Sequence, residues 1–522
     1  MLHRRRQPGC AALAGQAESR GKTDLILVVC PWRASALCSQ GLFGAEVTVS
    51  WFNDLKARSR KKAPAKPLSL EANRDGVETD PRTTSASAAP TYVTMRPKRE
   101  SFPGFRATAS DQPRHGETDR FAEARLRLRA AYTPSQPILS RSLFAGRTHV
   151  LATLIRSIED ERLHTIVYGE RGIGKTSLMH VVAQAARDAR YVVSYISCGA
   201  ASDFDEVFRA VAADIPLLFH SGYGPSAPEA ERGDSIASLL SDGPVSVRQA
   251  SDHLAKVTGT RILIVLDEFD RVESADFRLG IAEFLKNLSD RSIRVQLLIA
   301  GVAANLTELL EHIPSIQRSI FALQIPRMTE AEVRQLIKIG EDTSNLVFEE
   351  SARRFIVAAA NGLPYLASLI SHHAGLEAID KSRLDVTSAD VAEAVANALH
   401  EQQGRISKRS QIQIASCIQE GAGAVLGGLS NLAQLSGGAF SIDDLASAWP
   451  GPEGVTRTHS LVKKLADEGL LLERVEDEFG ATYRFAEDSV PIYLWLLAAL
   501  ARFGEDEKAS ARAGLDRNTV AL

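Results

Sequence analysis

The sequence predicts an α/β fold, in which a parallel sheet with helices on both faces is followed by a helical region and a smaller C-terminal block. Three observations predict it. Apolar runs such as "HTIVY" and "RILIVLDEFD" alternate with amphipathic stretches, which is the order of strands and helices in parallel sheets. The runs are rich in Val, Ile and Leu, as in strands that are covered on both faces. After Met328 the strand patterns stop and helical patterns continue.

The composition is that of an ordinary globular chain. It has 522 residues, 44% of them hydrophobic and 24% charged, with a net charge of −3. At ~150 residues per domain this length predicts about three domains. The charge balance indicates no nucleic-acid partner for the chain as a whole, so such a surface would have to be local.

The cysteines and the apolar runs predict where the protein works. None of the five cysteines forms a C-x-x-C pair, which favours reduced thiols. No apolar run reaches the ~18 residues of a membrane span. We therefore expect a cytoplasmic protein with no membrane partner.

Residues 1–135 are predicted to be a mostly disordered arm, because Arg, Lys, Pro, Ser and Ala dominate and apolar periodicity is poor. The basic run "KARSRKKAPAKP" either touches nucleic acid or is a solvated linker. Met95 is an alternative start, in which case residues 1–94 are not part of the native protein, and an intact mass would decide this. Residues 506–522 are predicted to be a disordered tail.

The α/β domain is predicted over residues 136–327. Its strands are expected in "HTIVY", "YVVSYISC", "RILIVLDEFD", "RVQLLIAGV" and "IFALQIP". Its helices are expected after Gly146 and in "KTSLMHVVAQAARDA", "DFDEVFRAVAADI", "SVRQASDHLAKVT" and "RLGIAEFLKNLSD". Residues 219–244 are rich in Gly, Pro and Ser and are predicted to be a mobile loop.

Two further domains are predicted downstream. Residues 328–405 read as an all-helical, lid-like domain, in which Thr387 and Ser388 are N-cap candidates. Residues 406–505 contain helices followed by the hairpin-like "LLLERVEDEFGATYRFAE". Helix, helix and β-hairpin are the order of a winged helix-turn-helix.

The stretch "GERGIGKT", Gly169–Thr176, fills every fixed position of G-x-x-x-x-G-K-[ST] and follows a predicted strand. Glycines let consecutive N–H groups turn towards phosphate oxygens, and the helix that begins near Lys175 adds its positive end. Lys175 is expected to reach the β- and γ-phosphates, and the Thr176 hydroxyl to coordinate Mg²⁺. The alternative is a fortuitous glycine turn.

ATP and Mg²⁺ are therefore the expected cofactors. Because such a loop works through its backbone, the side chains of Glu170 and Arg171 are predicted to point to solvent. The residues expected to bind the nucleotide are those of the loop and the one that follows it: Gly169, Glu170, Arg171, Gly172, Ile173, Gly174, Lys175, Thr176 and Ser177.

A pair of acids, Asp267 and Glu268, closes the apolar strand "ILIVL". The carboxyl end of a parallel strand faces the same crevice as the phosphate loop. Asp267 is expected to hold the metal, and Glu268 to orient and polarise the attacking water. The alternative is a pair of solvated turn residues. Asp270 is predicted to be a surface or helix-capping residue.

In this order, the motifs "FAGR", "GERGIGKTS", "ILIVLDEFD", "LLIAGV", "SIQRSI" and "NGLPYLASLI" resemble the AAA+ and STAND superfamily of P-loop ATPases. The closest likeness is to the prokaryotic origin-recognition-like and STAND-type ATPases. The resemblance extends over roughly residues 141–373 and, more weakly, to about residue 503. It implies ATP hydrolysis and often a winged helix.

The resemblance also implies roles for single residues. Arg147 would lie near the nucleotide base, or else form a surface salt bridge. Arg318 would be a catalytic arginine finger for a neighbouring subunit, or else cap a helix. Pro364 belongs to the G-x-P lid motif and would contact the nucleotide. Asn305 is a candidate sensor after the fourth strand, and "NGLPYLASLIS" has no arginine where a second sensor would stand, which favours a switch over a fast motor.

The predicted winged helix offers local positive charge. Lys463 and Lys464 could contact phosphates, which positions a protein without selecting sequence. Other basic residues of this block are Arg457, His459, Arg474 and Arg484. Nearby acids would repel a duplex: Asp467, Glu468, Glu473, Glu476, Asp477 and Glu478. DNA binding and protein contact therefore both remain open.

Together these patterns predict an ATP-binding protein that hydrolyses ATP slowly with Mg²⁺ and uses the nucleotide as a conformational switch, acting as a homo-oligomer or with a protein partner. One alternative is an ATP-gated DNA-binding regulator or loader with little turnover. The other is a non-enzymatic signalling or assembly scaffold that depends on ATP.

Overall fold

A computed structural model describes residues 120–224, 227–301, 314–435, 438–448, 452–467, 471–477 and 480–519. Residues 1–119 of the arm predicted for 1–135, the alternative start at Met95 and the sensor candidate Asn305 lie outside these residues. All described residues belong to one compact unit of the chain. The domain boundaries predicted from the sequence stay a prediction.

Five parallel strands form the central sheet, in the order β2-β3-β4-β1-β5. The strands are β1 (His164–Tyr168), β2 (Val192–Ser197), β3 (Ile262–Asp267), β4 (Val295–Gly301) and β5 (Ile320–Gln324). All five predicted strands are confirmed. Because they run in one direction, Tyr168 pairs with Gly301 and Ser197 pairs with Asp267, so their carboxyl ends meet at one edge of the sheet.

Both faces of this sheet are covered, which explains the continuous apolar runs. All six residues of β3 are buried. Leu263 and Val265 face one hydrophobic core, whereas Ile264 and Leu266 face another, as the alternation of side chains in a strand requires.

The helices of the α/β part agree with the amphipathic patterns. They are α2 (Thr148–Glu159), α3 (Lys175–Asp188), α4 (Phe204–Ala213), α5 (Pro228–Glu231), α6 (Val247–Leu254) and α7 (Ala275–Asp290). Side-chain caps fix several starts: Asp203 accepts from the Glu206 amide, and Ser246 forms a capping box with Gln249.

The segment 219–244, predicted to be a mobile loop, instead carries short helical turns where it is described. These are Leu217–Phe219, α5 and Ile236–Leu239. Ile236 is fully buried, and Arg209 of α4 donates to the carbonyls of Ser241 and Gly243. The prediction failed because the few large apolar residues of this segment, such as Tyr223, Ile236 and Leu239, are too unevenly spaced among Gly, Pro and Ser to give a periodic signal.

Four helices follow the sheet, namely α8 (Glu330–Ser344), α9 (Glu350–Ala360), α10 (Pro364–Asp380) and α11 (Ser388–Gly404). Thr387 caps α11, as predicted. The expectation that strands are absent here is wrong in one detail, because β6 (Val347–Phe348) pairs with β7 (Asp385–Val386). Two residues per strand are too few for a period-two pattern.

The N-terminal arm was predicted to reach residue 135, but helix α1 (Arg120–Ala131) is part of the fold. Leu128 is fully buried against α8 and α10, and the Tyr132 hydroxyl donates to the Ile337 carbonyl at 3.0 Å. Two glycines make room for this packing. A Cβ on Gly340 would lie 2.0 Å from Tyr132 Cζ, and one on Gly375 would lie 2.8 Å from Leu128 Cδ1.

The C-terminal block has the predicted order of helices and hairpin, and it adds one strand. Its elements are α12 (Lys408–Gln419), α13 (Gly423–Leu435), β8 (Ala439–Ser441), α14 (Ile442–Ala448), α15 (Pro452–Asp467), β9 (Leu472–Asp477), β10 (Gly480–Phe485) and α16 (Ser489–Thr519). The antiparallel sheet has the order β8-β10-β9. The predicted tail from 506 is wrong up to Thr519, because α16 continues through this polar but helix-favouring sequence.

The described part of the chain has two hydrophobic cores. Core A joins α1, one face of the sheet, the helices α8–α11 and the C-terminal block, and core B fills the other face. Within core A, the rings of Phe355 and Phe503 stack at 4.2 Å, and the Trp495 indole donates to the Ala359 carbonyl at 2.8 Å. Among the described residues, no helix is both long and apolar enough to cross a membrane.

Candidate nucleotide-binding site

The phosphate-loop motif forms the turn between β1 and α3, and α3 begins at Lys175 as predicted. Gly172 and Gly174 have φ values of 79° and 91°, in the left-handed region that favours glycine. This backbone turns the loop around the N-terminal end of a 14-residue helix. Such an end attracts phosphate through its unpaired N–H groups and its partial positive charge.

The Lys175 ammonium group lies over its own loop. Nζ donates to the carbonyls of Gly169 at 2.8 Å and Glu170 at 3.1 Å. Burial lowers the Lys175 pKa, and the charges of Asp270 and Asp267 act in the opposite direction. Asp270 itself is exposed in the turn after β3, which agrees with its predicted surface position.

Asp267 stands at the carboxyl end of β3 and is 3% exposed. The Tyr195 hydroxyl donates to its Oδ2 at 2.7 Å, and the Glu268 amide donates to its Oδ1 at 2.8 Å. The two bonds fix the orientation of a buried carboxylate at the edge of the sheet where the loop lies. The alternative of a solvated turn residue is therefore wrong for Asp267.

The Glu268 carboxylate is turned towards two neighbours. Ser197 donates to its Oε2 at 2.9 Å, and Arg271 Nη1 lies 3.1 Å from the same oxygen. The Glu268 backbone has a φ of 55°, which is rare for a residue with a Cβ. Such a conformation is typical of functional positions, where the surrounding structure imposes it.

The expected metal ligands fit a magnesium ion by their chemistry. A hydroxyl from Thr176 and a carboxylate from Asp267 are oxygen ligands, and Mg²⁺ held with substrate phosphates needs only one or two carboxylates. In the described part of the chain, no group of three or more His, Cys, Asp or Glu residues could hold a metal without a substrate. The hydroxyl of Ser177 accepts a bond from the Ile138 amide at 3.0 Å, so it ties the preceding segment to α3.

Arg147 lies behind the loop and is 3% exposed. Its guanidinium donates to the carbonyls of Ile173 and Pro326, and its backbone amide donates to Glu332 at 2.7 Å. Burial lowers the Arg147 pKa to about 10. The alternative of a surface salt bridge is wrong, because the side chain is buried and bonds to backbone. A role near the nucleotide base stays a prediction.

Glu170 does not point to solvent, which corrects the prediction. Its carboxylate receives two bonds from Arg327, at 3.0 Å from Nε and 2.8 Å from Nη2. Arg171 does point outwards, with 82% of its side chain exposed, 3.5 Å from Asp488.

The lid motif lies directly on the loop. Pro364 is the first residue of α10, and a Cβ on Gly174 would be 3.6 Å from its Cγ. The Tyr365 amide donates to the Gly172 carbonyl at 3.3 Å. The structure therefore brings Pro364 together with the phosphate loop.

Arg318 is not brought together with the loop of its own chain. It is exposed in a turn that precedes β5, whose first residue pairs with His164 at the amino end of β1. The loop follows the carboxyl end of β1, about 16 Å away at ~3.3 Å per residue. Arg318 therefore either acts on another molecule or caps the end of its own helical turn.

The basic residues of the hairpin are paired with acids. Arg474 lies 2.5 Å from Glu476, and Arg484 lies 2.7 Å from Glu473. Lys463 and Lys464 are exposed on α15, and Lys464 lies 3.5 Å from Glu420. His459 is half-buried on the same helix, and the side chain of Arg457 lies outside the described residues.

Several polar residues around the site were missed from the sequence: Tyr195, Ser197, Arg327 and Glu332. Tyr195 and Ser197 end a predicted strand, which is the one signal that could have placed them beside Asp267. Arg327 is the one charged residue in the run "LQIPRM". A single charge in such a run indicates that the side chain is paired with an acidic residue elsewhere in the fold.

Residues 143–299 match the family model described as "AAA ATPase domain". No curated protein matches the chain. Three solved structures with a partial likeness are Cdc6p from Pyrobaculum aerophilum (14% identical, covering 72% of this chain and 98% of that one, TM-score 0.37), the Orc1 protein of Aeropyrum pernix in complex with DNA (17%, 73% and 98%, 0.39) and the Walker-type ATPase paby2304 of Pyrococcus abyssi (17%, 69% and 98%, 0.42).

Proposed function

We propose that this chain, which carries an AAA ATPase domain over residues 143–299, binds ATP with Mg²⁺ at Gly169–Thr176 and hydrolyses it slowly as a conformational switch. The observation that carries the proposal is Asp267. Its buried carboxylate is held through both oxygens at the sheet edge where the phosphate loop lies. A fixed carboxylate beside such a loop is the arrangement that phosphoryl transfer requires.

Each residue has a proposed role. The loop amides and the start of α3 bind the phosphates, and Lys175 leaves its two carbonyl partners to reach them. Thr176 and Asp267 hold the metal, which neutralises phosphate charge when it is bound. Glu268 orients the attacking water and accepts its proton.

Slow turnover is supported by the position of Glu268. Its carboxylate is shared between Ser197 and Arg271, and it must leave at least one of them to reach a water at the γ-phosphate. Hydrolysis therefore requires the Glu268 side chain to move away from one of these partners first.

The switch is supported by the contact between lid and loop. Pro364 and the Tyr365 amide lie against Gly174 and Gly172. Phosphates that enter the loop therefore change how the start of α10 packs against it. The lid helices and the C-terminal block share core A. We infer that the two move together when the lid moves.

A protein partner, or a second copy of this chain, is favoured over DNA by the ion pairs of the hairpin. Arg474 and Arg484 are already neutralised by acids, so little of their charge is free for phosphates. Arg318, exposed and remote from its own loop, would serve a neighbouring subunit. The Aeropyrum Orc1 structure contains DNA, which makes duplex DNA the necessary comparison.

The test combines ATPase rates, measured with and without duplex DNA, with light scattering for assembly. We expect Glu268→Gln to bind ATP but to lose turnover by about a hundredfold or more, as for loss of a catalytic base. Lys175→Ala should lose nucleotide binding. Glu283→Gln, the same change at an exposed residue of α7, is the control and should match wild type.

Three outcomes would contradict parts of the proposal. Wild-type hydrolysis by Glu268→Gln would remove Glu268 from the reaction. Absence of ATP binding by the wild-type chain would remove the whole proposal. Salt-sensitive DNA binding that changes with ATP, without assembly, would favour the DNA-regulator alternative.

A further inference from the structure

Glu170 occupies a position of the phosphate-loop motif that admits any residue, yet its side chain is not free. The two oxygens bind two nitrogens of Arg327 in a bidentate pair. The two side chains are only 20% and 13% exposed. Such a pair is geometrically specific and is stronger than a surface ion pair.

Arg327 also reaches the lid. Its Nη1 donates at 3.2 Å to the carbonyl of Asn361, the residue that ends α9 in the left-handed conformation. Asn361 directly precedes Gly362-Leu363-Pro364, and the Met328 amide donates to Gly362 at 2.9 Å. One arginine therefore joins the phosphate loop to the turn that begins α10.

The same glutamate is connected to the phosphate-binding lysine. The Lys175 ammonium donates to the carbonyls of Gly169 and Glu170. A bound phosphate attracts this ammonium more strongly than a neutral carbonyl does, because both partners are then charged. A bound phosphate would therefore compete with the Glu170 carbonyl for the Lys175 ammonium.

We propose that Glu170 and Arg327 are positioning residues that transmit phosphate occupancy to the lid, in the sequence Lys175, Glu170, Arg327, Asn361. This inference rests on the proposed nucleotide binding and deepens it. Neither side chain touches the phosphates. The ion pair connects the contact between Lys175 and the Glu170 carbonyl with the contact between Arg327 and the Asn361 carbonyl, so that both respond to phosphate together.

The experiment measures amide hydrogen exchange in residues 361–368 with and without Mg·ADP. In the wild-type chain, the Tyr365 amide is bonded to Gly172, and we expect Mg·ADP to change the exchange of this segment by about fivefold or more. Glu170→Gln and Arg327→Gln are each measured at ADP concentrations that saturate them, so that a change in ADP affinity does not enter the comparison. Their nucleotide-dependent change in exchange should disappear.

Two further variants separate coupling from simple damage. Arg327→Lys keeps the charge but cannot form the bidentate pair, so it should retain only part of the response. The double variant Glu170→Arg, Arg327→Glu restores the ion pair but leaves no donor for the Asn361 carbonyl, so the response should stay lost. Arg334→Gln is the control, since Arg334 of α8 forms an exposed pair with Glu350 of α9, and it should behave as wild type.

The outcomes are distinguishable from failure of the proposed function. If wild-type protein does not bind Mg·ADP, the proposed function fails. If it binds and Glu170→Gln keeps the full change in exchange, the coupling role of the pair is wrong. Recovery of the full response in the swapped pair would overturn the step from Arg327 to Asn361, because the Asn361 carbonyl has no donor in that variant.

Discussion

At the scale of single residues, Tyr195 holds the carboxylate on which the site depends. Its ring stacks on His180 of α3 with centroids 4.3 Å apart and planes at 4°, and its hydroxyl donates to Asp267. Burial and the neighbouring Asp267 raise the Tyr195 pKa above its usual range, so the hydroxyl stays protonated and keeps donating. Tyr195 thereby links the helix that follows the loop to the proposed metal ligand.

Replacing Tyr195 by Phe should weaken the use of Mg²⁺. The ring still stacks on His180, but Asp267 loses a donor that fixes its orientation. Loss of such an outer-shell partner typically weakens metal affinity about tenfold or more. A titration of Mg²⁺ during binding of fluorescent ADP measures the shift. Tyr191→Phe, whose hydroxyl contacts Arg261 instead, is the control, and an equal midpoint in both variants would contradict the role.

His164 makes stability depend on pH. It is 4% exposed, and burial lowers its pKa to about 4. Its Nδ1 accepts from the Leu297 amide at 3.1 Å, which requires an unprotonated nitrogen. The unfolded chain, with a pKa near 6.5, binds more protons between about pH 6.5 and 4. Stability from this group is therefore fully present above pH 6.5 and is lost as pH falls through the window.

Between pH 7.5 and pH 5, the expected loss from His164 is about 2 kcal/mol in the free energy of unfolding, at ~1.4 kcal/mol per pH unit below 6.5. Urea unfolding at pH 7.5 and pH 5 measures it. His372, whose pKa is also lowered to about 4, acts in the same direction, so the comparison with His164→Asn isolates the effect. Asn can accept the Leu297 bond without titrating, and an equally steep pH dependence in this variant would refute the assignment.

The placement of residues was predictable where local chemistry fixes it. Lys175 and Thr176 follow from a motif whose spacing is set by the loop itself, and Asp267 follows from a strand end. The side chain of Glu170 was not predictable, because its partner Arg327 lies 157 positions away and belongs to the turn before the lid. Long-range ion pairs leave no periodic trace in a sequence.

At the scale of elements, α1 shows how glycines in two helices make room for a third helix to pack against them. Leu128 and Tyr132 enter core A where α8 and α10 carry Gly340 and Gly375 in their interiors. Glycine inside a helix costs roughly 1 kcal/mol relative to alanine, so these glycines weaken their own helices. The close approach of α1 offsets that cost.

Replacing Gly340 by Ala should therefore destabilise the protein by about 2 kcal/mol, despite the better helix propensity of alanine. The added Cβ would lie 2.0 Å from a ring atom of Tyr132, which is 2% exposed and bonded to Ile337, so it cannot move aside freely. Thermal and urea unfolding measure the change. Gly404→Ala, with nothing within 4 Å of its Cβ, is the matched control. Equal stability of both variants would mean that α1 does not pack as described.

Helix α1 also shows the limit of element prediction. Its sequence "RFAEARLRLRAA" has only three large apolar residues, Phe121, Leu126 and Leu128, and continues the basic composition of the arm, so the pattern gave no reason to end the arm before it. Its place is decided by partners in α8 and α10. The strands β6 and β7 escaped prediction for a similar reason, since each is held by pairing rather than by its own pattern.

At the scale of the whole molecule, the sheet has two unequal sides. Core B is covered by helices of the α/β part alone, whereas core A continues into the lid, the C-terminal block and α1. The alternation of strands and helices predicted the sheet, but no sequence pattern predicted that three regions share one core. The shared core depends on which helix faces and which face of the sheet pack together in the folded chain.

Shortening the chain should reveal this shared core. A chain that begins at residue 134 lacks α1 and Tyr132, and it should be less stable than a chain that begins at residue 120. Loss of buried side chains the size of Leu128 costs about 2–5 kcal/mol each, so a difference of at least 3 kcal/mol is expected. Urea unfolding with fluorescence and circular dichroism measures it, and identical midpoints for the two chains would contradict the shared core.

The contact of α1 with the lid also sets a delay during synthesis. Tyr132 and its acceptor Ile337 are 205 positions apart. At 5–20 residues per second, α1 is therefore synthesised roughly 10–40 s before the α8 residues against which it packs. During that interval its apolar side chains have none of their lid partners. Helix α1 therefore waits for a segment made much later, and the rate of the ribosome, rather than the fold, decides for how long.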